Sequence, residues 1–262
     1  IPEQKTCTIE VKAADLVAIV GYKHAQATEQ NNTATSVNLF HKVDSIDELK
    51  AHAEGAQLIL AEGTYDINEA LSVACAIQAA EGTTVTINAA GNTITAGNDS
   101  DYSFIAKPNS TFVFNEANII SNGGGIAASS AGSKVIFNSG KVAVNATNTS
   151  GRYNFYVVGQ DTEVTINGGE FSFDKPTLKR AYIYAGAGAT VYVKGGTFGK
   201  PSTRDNYKAG IMGDGTVIVT GGTFGFDPTK WVAAGYTAKK EGQNWVVVSV
   251  TGDNLSQLVA TP

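Results

Sequence analysis

Apolar residues return along most of the chain in one repeated arrangement. Six segments carry apolar side chains at their first and third positions: Val85/Ile87, Phe112/Phe114, Val135/Phe137, Val164/Ile166, Val191/Val193 and Val217/Val219. Alternation of period two sets each pair on one face of a short strand. A bend follows, then a second short stretch whose apolar residues are Ile94, Ile119, Val142, Phe171, Phe198 and Phe224. A third strand precedes the next segment, at Tyr102–Ala106, Gly125–Ser129, Tyr153–Val158, Ala181–Ala185 and Ala209–Met212. The six starts lie 23–29 residues apart. That is too short for a β-propeller blade of ~40 residues, and the spacing of a leucine-rich repeat is absent. The pattern predicts an all-β solenoid with about three short strands per coil. Each strand pairs in parallel with its copy in the next coil, and the alternating apolar positions line one bore.

The bends carry their own repeat. Asn88, Asn115, Asn138 and Asn167 hold the same place in four successive coils, and stacked side-chain amides there predict a structural hydrogen-bonded ladder. Lys194 and Thr220 replace Asn in the last two coils. The Gly pairs 168–169, 195–196 and 221–222 follow, as expected where the bend needs positive φ. They open no helix and no Lys-Ser or Lys-Thr follows them, so they are not a phosphate loop. Between the second and third strands the chain turns polar and varies in length, at 146–151 and 200–206, so these loops project to one side.

Composition agrees with many short strands and tight turns. In 262 residues there are 29 Gly and 42% hydrophobic residues, but only 16% charged residues, which is low for a soluble chain. The formal net charge of −5 argues against a nucleic-acid partner, which needs a basic patch. No apolar run is long enough to span a membrane. Cys7 and Cys75 are too few for a disulfide framework or a zinc site; they fit two small buried side chains or a single disulfide. The chain begins at Ile1 and not at Met, as expected once an export segment has been removed or the chain trimmed.

The stretch from Ser45 to Phe226 resembles the right-handed parallel β-helix of the pectin-lyase-like superfamily. Its clearest piece is SIDELKAHAEGAQLILAEGTYDI, residues 45–67. Ser45 and Glu48 have capping-box spacing, and Ile46, Leu49 and Ala53 form an apolar stripe. The resemblance implies a cap helix over 45–53 at the open N-terminal end, then a strand with Leu58, Leu60, Gly63 and Tyr65. Residues 227–262 look like a terminal module found after Gly-Gly-Thr-Phe coils in bacterial surface proteins, with Trp231, Tyr236 and Trp245 expected over the other open end. Residues 1–44 fall outside the resemblance; alternation at Cys7–Ala13 and at Val37, Leu39 and His41 predicts added capping strands.

The enzymes of that superfamily make demands on sequence that can be checked. Lyase-like members imply acidic calcium ligands and a base on the outside of the first sheet. The outward positions here are Thr86, Val113, Ile136, Thr165, Tyr192 and Ile218, none of which ionises near neutral pH. Gln160-Asp161-Thr162 matches one esterase motif, but its companion segment is missing and Asp161 reads as a turn residue. No His follows His52, so the hydrolase Gly-His-Gly is absent, and His24, His41 and His52 have no acidic partner at a recognisable spacing. The best enzymatic candidate is a basic group on adjacent coils, Arg152 and Arg180 with Lys179 and Lys208 nearby and Asp205 beside them. Surface charge is the alternative for these residues.

The third strand holds the most suggestive group. Counting back from each first strand aligns Tyr153 with Arg180, Phe155 with Tyr182 and Val157 with Tyr184, and Tyr207 follows in the next coil. If Ile183 and Ala185 point inward, Tyr182 and Tyr184 point out. Coils repeat at ~4.8 Å, so Tyr153, Arg180, Tyr182, Tyr184 and Tyr207 would form a strip suited to sugar rings. The alternative is stacking that only stabilises the sheet, or a loop that covers it.

Together these readings lead to a secreted or cell-surface β-helix without cofactor or metal, acting on polysaccharide or surface glycan by binding or adhesion. A lyase or hydrolase for an acidic polysaccharide is the first alternative. A structural stalk, with Val113, Ile136, Tyr192 and Ile218 as an oligomer interface, is the second.

Overall fold

The computed structural model describes residues 24–30, 33–43, 45–51 and 58–250. They form an all-β parallel β-helix of three sheets running along a common axis. The first sheet has seven strands, starting at Gly63–Asp66 and Thr84–Asn88 and ending at Thr216–Val219. Val85, Phe112, Val135, Val164, Val191 and Val217 are stacked in register along it, as the repeat predicts. The second sheet runs from Leu71–Val73 to Gly222–Phe224, and the third runs from Leu58–Leu60 to Ile211–Met212.

The alternating positions converge on one core. Val85, Phe112, Phe114, Val135, Phe137, Val191 and Val193 are fully buried, and only Val217, in the last rung, keeps part of its surface in water. Phe171, Phe198 and Phe224 stack along the bore with ring centroids 4.7 and 4.9 Å apart. Each such ring adds about 1.5–3 kcal/mol by leaving water, which is why one apolar column can hold many short strands together.

One coil precedes the six that align by sequence. The run around Leu58 and Tyr65 is two strands and not one: Leu58–Leu60 joins the third sheet, and Gly63–Asp66 joins the first. The Tyr65 hydroxyl donates to the Ala61 carbonyl across the turn between them, at 3.1 Å. This coil escapes the sequence repeat because Gly63 stands where the later coils carry their first apolar residue.

The bend between the first and second sheets is built alike in successive rungs. Amide nitrogens of Asn115, Asn138 and Asn167 donate to the side-chain oxygens of Asn88, Asn115 and Asn138 at 2.7–2.8 Å. Asn88 in turn donates to Asp66 at 2.9 Å, so a carboxylate starts the ladder. The Gly pairs serve two separate needs. Gly169, Gly196 and Gly222 have φ of 108°, 102° and 111°, a region that disfavours other residues. Gly195 and Gly221 do not; there a Cβ would lie 2.5 or 2.3 Å from the carbonyl oxygen of Asn167 or Lys194 on the preceding rung.

Both ends are capped. A hairpin of His24–Gln30 and Thr33–Val43 extends the third sheet beyond Leu58–Leu60. The helix Ile46–Ala51 starts with the Glu48 amide donating to Ser45 Oγ, and it buries Leu49 with Ile46 packed on the core. Ala53, His52, Cys7 and the predicted strand Cys7–Ala13 lie outside the described residues. Cys75 is a free thiol, half-buried against the core. At the other end, Tyr236–Glu241 and Asn244–Ser249 add an antiparallel hairpin to the second sheet. Trp231 and Trp245 pack on the core there, but Tyr236 does not cover the end: it is exposed. Lys239, Lys240 and Glu241 line that outer edge, and their charge deters further strand pairing.

Candidate functional site

The third sheet departs from strict alternation. At the start of its strands two successive side chains face inward: Ser103 with Phe104, Asn154 with Phe155, and Tyr182 with Ile183, all fully buried. Polar members of these pairs bond to second-sheet backbone where the chain bends from the second sheet into the third. Ser103 Oγ donates to the Ala96 carbonyl, and Asn154 Nδ2 donates to the carbonyls of Val142 (2.7 Å) and Ser172 (3.0 Å).

This bend corrects the place of Tyr182. Instead of pointing outward it is only 1% exposed and packs on Phe173, Phe198 and Phe226, while its hydroxyl donates to the Lys200 carbonyl at 2.8 Å. Burial pushes its phenol pKa up. The register is corrected too. Tyr153 pairs with Ala181, Phe155 with Ile183, Tyr156 with Tyr184, and Arg152 with Arg180. Counting back from the first strand fails because the turn after Val157 holds one residue more than the turn after Ala185. Asp161 takes up part of the longer turn with φ of 57° and is a turn residue, as its sequence context suggests.

The outward residues form a different aromatic cluster from the one expected. Tyr156 stacks on Tyr184 of the next rung at 5.4 Å and on Tyr102, two rungs back, at 5.1 Å. Tyr102 reaches that far because Gly124 stands between them: a Cβ there would lie 2.3 Å from its ring. Tyr153 sits within the group, 5.1 Å from Tyr184 and 6.3 Å from Tyr207. It is 8% exposed, whereas Tyr102, Tyr156, Tyr184 and Tyr207 keep parts of their rings in water. Burial, then a hydrogen bond with Tyr207, hold the Tyr153 phenol pKa well above its ordinary value, and burial does the same for Tyr102. These phenols stay neutral through the physiological range. They offer apolar faces with hydroxyl rims.

Beside the cluster the loop 146–151 is pinned by Arg180. Its guanidinium is fully buried and donates to the carbonyls of Ala146 (2.7 Å), Asn148 (2.9 Å), Ser150 (2.9 Å) and Lys179 (3.0 Å). Arg180 is thus a structural pin and neither a surface charge nor an open binding group. Burial, then the neighbouring Arg152, lower its pKa. Arg152 reaches the Asp99 carbonyl at 2.5 Å, and the Asp99 carboxylate accepts from the Thr147 amide (2.6 Å) and hydroxyl. Those bonds hold the Asp99 carboxyl below the usual carboxylate range. Lys208 is spent on Asp205, 2.7 Å away and exposed. The basic group expected from the sequence therefore does not assemble as an open site.

Tyr102, Tyr156 and Asp99 were not anticipated. The signal for Tyr156 was present: aligning on the apolar pairs Phe155/Val157 and Ile183/Ala185 places it beside Tyr184. An open trough of about 510 Å³ lies at the other corner, over Gly140, Gly169, Gly196 and Gly222. It exists because those residues lack side chains, and its carboxylate Glu170 is paired with Lys141 at 2.8 Å. The tyrosine face is the better candidate on chemistry. Among the described residues no three His, Cys, Asp or Glu side chains come together to hold a metal ion, and no helix is long and apolar enough to cross a membrane. A scan against family models and searches of curated proteins and of solved structures found no match for the chain.

Proposed function

We propose that this chain is an exported, non-catalytic β-helix of the bacterial cell surface that binds glycans through the tyrosine face of its third sheet. The observation that supports this reading is the stacking of Tyr156 on Tyr184 across neighbouring rungs with part of each ring in water. Flat aromatic faces bury the C–H faces of sugar rings, and phenol hydroxyls at the rim bond to sugar hydroxyls. The pinned loop 146–151 gives the platform a rigid wall, which lowers the ordering cost of binding. The resemblance to the pectin-lyase-like superfamily and to terminal modules of surface proteins supports the cell-surface setting.

A glycan array followed by titration of the best ligand tests this. Tyr156→Ala with Tyr184→Ala should weaken binding about tenfold or more, since each stacked ring contributes about 0.5–1.5 kcal/mol. Binding that survives the double substitution unchanged removes the tyrosine face from the account. Release of unsaturated sugar ends from an acidic polymer would replace binding with lyase activity.

A further inference from the structure

Half of the ten tyrosines in the chain, Tyr102, Tyr153, Tyr156, Tyr184 and Tyr207, occupy one patch on the outside of the third sheet. Five contacts join them, with ring centroids 5.1–6.3 Å apart, and four of these are nearly parallel at 17–25°. The backbone sets the central contact. Tyr156 and Tyr184 are register partners on adjacent parallel strands, so their Cα atoms stand one rung, ~4.8 Å, apart and their side chains leave by the same face. Both rings keep part of their surface in water. Stacked phenols have a chemistry that sugar binding does not use. Loss of one electron and the hydroxyl proton leaves a radical whose unpaired spin sits partly on the ring carbons beside the oxygen-bearing one.

We infer that Tyr156 and Tyr184 form an oxidative cross-link site, where hydrogen peroxide acting through a haem peroxidase joins their rings as dityrosine. Each phenol gives up one electron and its hydroxyl proton. The two radicals bond through ortho carbons, and each ring hydrogen at the new bond moves through water to the phenol oxygen, which restores both aromatic rings. One peroxide takes up the two electrons and two protons and leaves as two waters. The other members of the cluster are worse partners. Tyr153 is only 8% exposed, and its hydroxyl is bonded to that of Tyr207. Tyr102 touches Tyr156 across two rungs, and its Cδ1–Cε1 edge, with one of its two ortho carbons, lies against the Gly124 backbone.

Two rings held on neighbouring strands meet at an effective concentration that no pair of separate chains reaches, so the bond forms within one molecule. It closes the stretch of chain from 156 to 184 and fastens two rungs of the third sheet. A link of this kind removes conformations from the unfolded chain and so raises the stability of the folded one. The inference does not rest on the glycan reading.

Brief treatment of the dilute folded chain with hydrogen peroxide and a haem peroxidase tests the proposal, read by gel filtration, dityrosine fluorescence and mass mapping of tryptic peptides. The monomer fraction should carry the fluorescence. Cleavage at Lys179 and Arg180 should leave the peptide holding Tyr156 joined to the one holding Tyr184, two hydrogens lighter than their sum, with fragmentation placing the bond at those residues. The joined monomer should unfold at a higher denaturant concentration than the untreated chain. Tyr156→Phe and Tyr184→Phe each keep a ring in the stack but remove its hydroxyl, and each should lower the yield in the monomer about tenfold. Tyr192→Phe, between Thr165 and Ile218 on the first sheet, should leave the yield unchanged. Oxidation in denaturant should also give about tenfold less of the link within one chain. Dityrosine found only between chains overturns the inference. So does a bond from Tyr156 to Tyr102 in place of Tyr184, or a yield indifferent to either Phe substitution or to unfolding.

Discussion

The two corners on either side of the second sheet solve the same problem by opposite means. Where the first sheet bends into the second, neighbouring rungs reuse the same parts: a ladder of side-chain amides at 88, 115, 138 and 167, then Gly pairs at 168–169, 195–196 and 221–222. Where the second sheet bends into the third, each rung is singular. One uses Ser103, another Asn154, another Tyr182, and the loops outside them differ in length. The regular corner gains from stacking, since Asn88, Asn115 and Asn138 each serve as both donor and acceptor for their neighbours. The irregular corner frees its loops and outward side chains to depart from the repeat, and the tyrosine face and the pinned loop both sit there. Difference from rung to rung is where a solenoid can place a site.

The irregular corner should be the more fragile one, and the largest effect should come from Arg180. Arg180→Met takes the guanidinium from four carbonyls, of which that of Lys179 keeps the Arg152 amide, and opens a buried space, at a cost on the order of 3–5 kcal/mol. The midpoint of denaturant unfolding reads this directly, and an unchanged midpoint would mean that the pin holds nothing. In the regular corner, Asn138→Ala removes two ladder bonds from a half-buried position and should cost about 1–2 kcal/mol. If that substitution proved more harmful than Arg180→Met, the contrast between the corners would be reversed.

The smallest effect should follow pH. The folded state holds the Asp99 carboxyl below its unfolded pKa, so its contribution is complete above the usual carboxylate range and is lost as pH falls through the depressed value. The Thr147 amide resonance should therefore shift with a midpoint below that of an ordinary Asp, and Asp99→Asn should abolish the transition. A midpoint at the ordinary value would show that the clasp is not formed in solution.

Much of this was legible before any coordinates. The interior columns, the amide ladder and the three strands per coil follow from periodicity, because each repeats over enough rungs for the pattern to stand above local variation. Tyr182 was misplaced and Tyr156 overlooked for a related reason. Alternation assumes a straight strand, and register by counting assumes turns of equal length; the bend at Tyr182–Ile183 and the extra residue after Val157 break both assumptions. Tyr236 failed differently, since an aromatic residue near an open end need not be the one that turns onto it.

What the sequence alone determined is the winding of the chain, since a repeated apolar column can leave water only by stacking coil on coil. Which side chains face one another across rungs was decided by tertiary structure alone. Arg180 meets its carbonyls from residues up to 34 positions away, and Tyr102 reaches Tyr156 over a glycine. Such meetings depend on the lengths of turns and the angle of a bend, and these carry no signal in hydrophobic period.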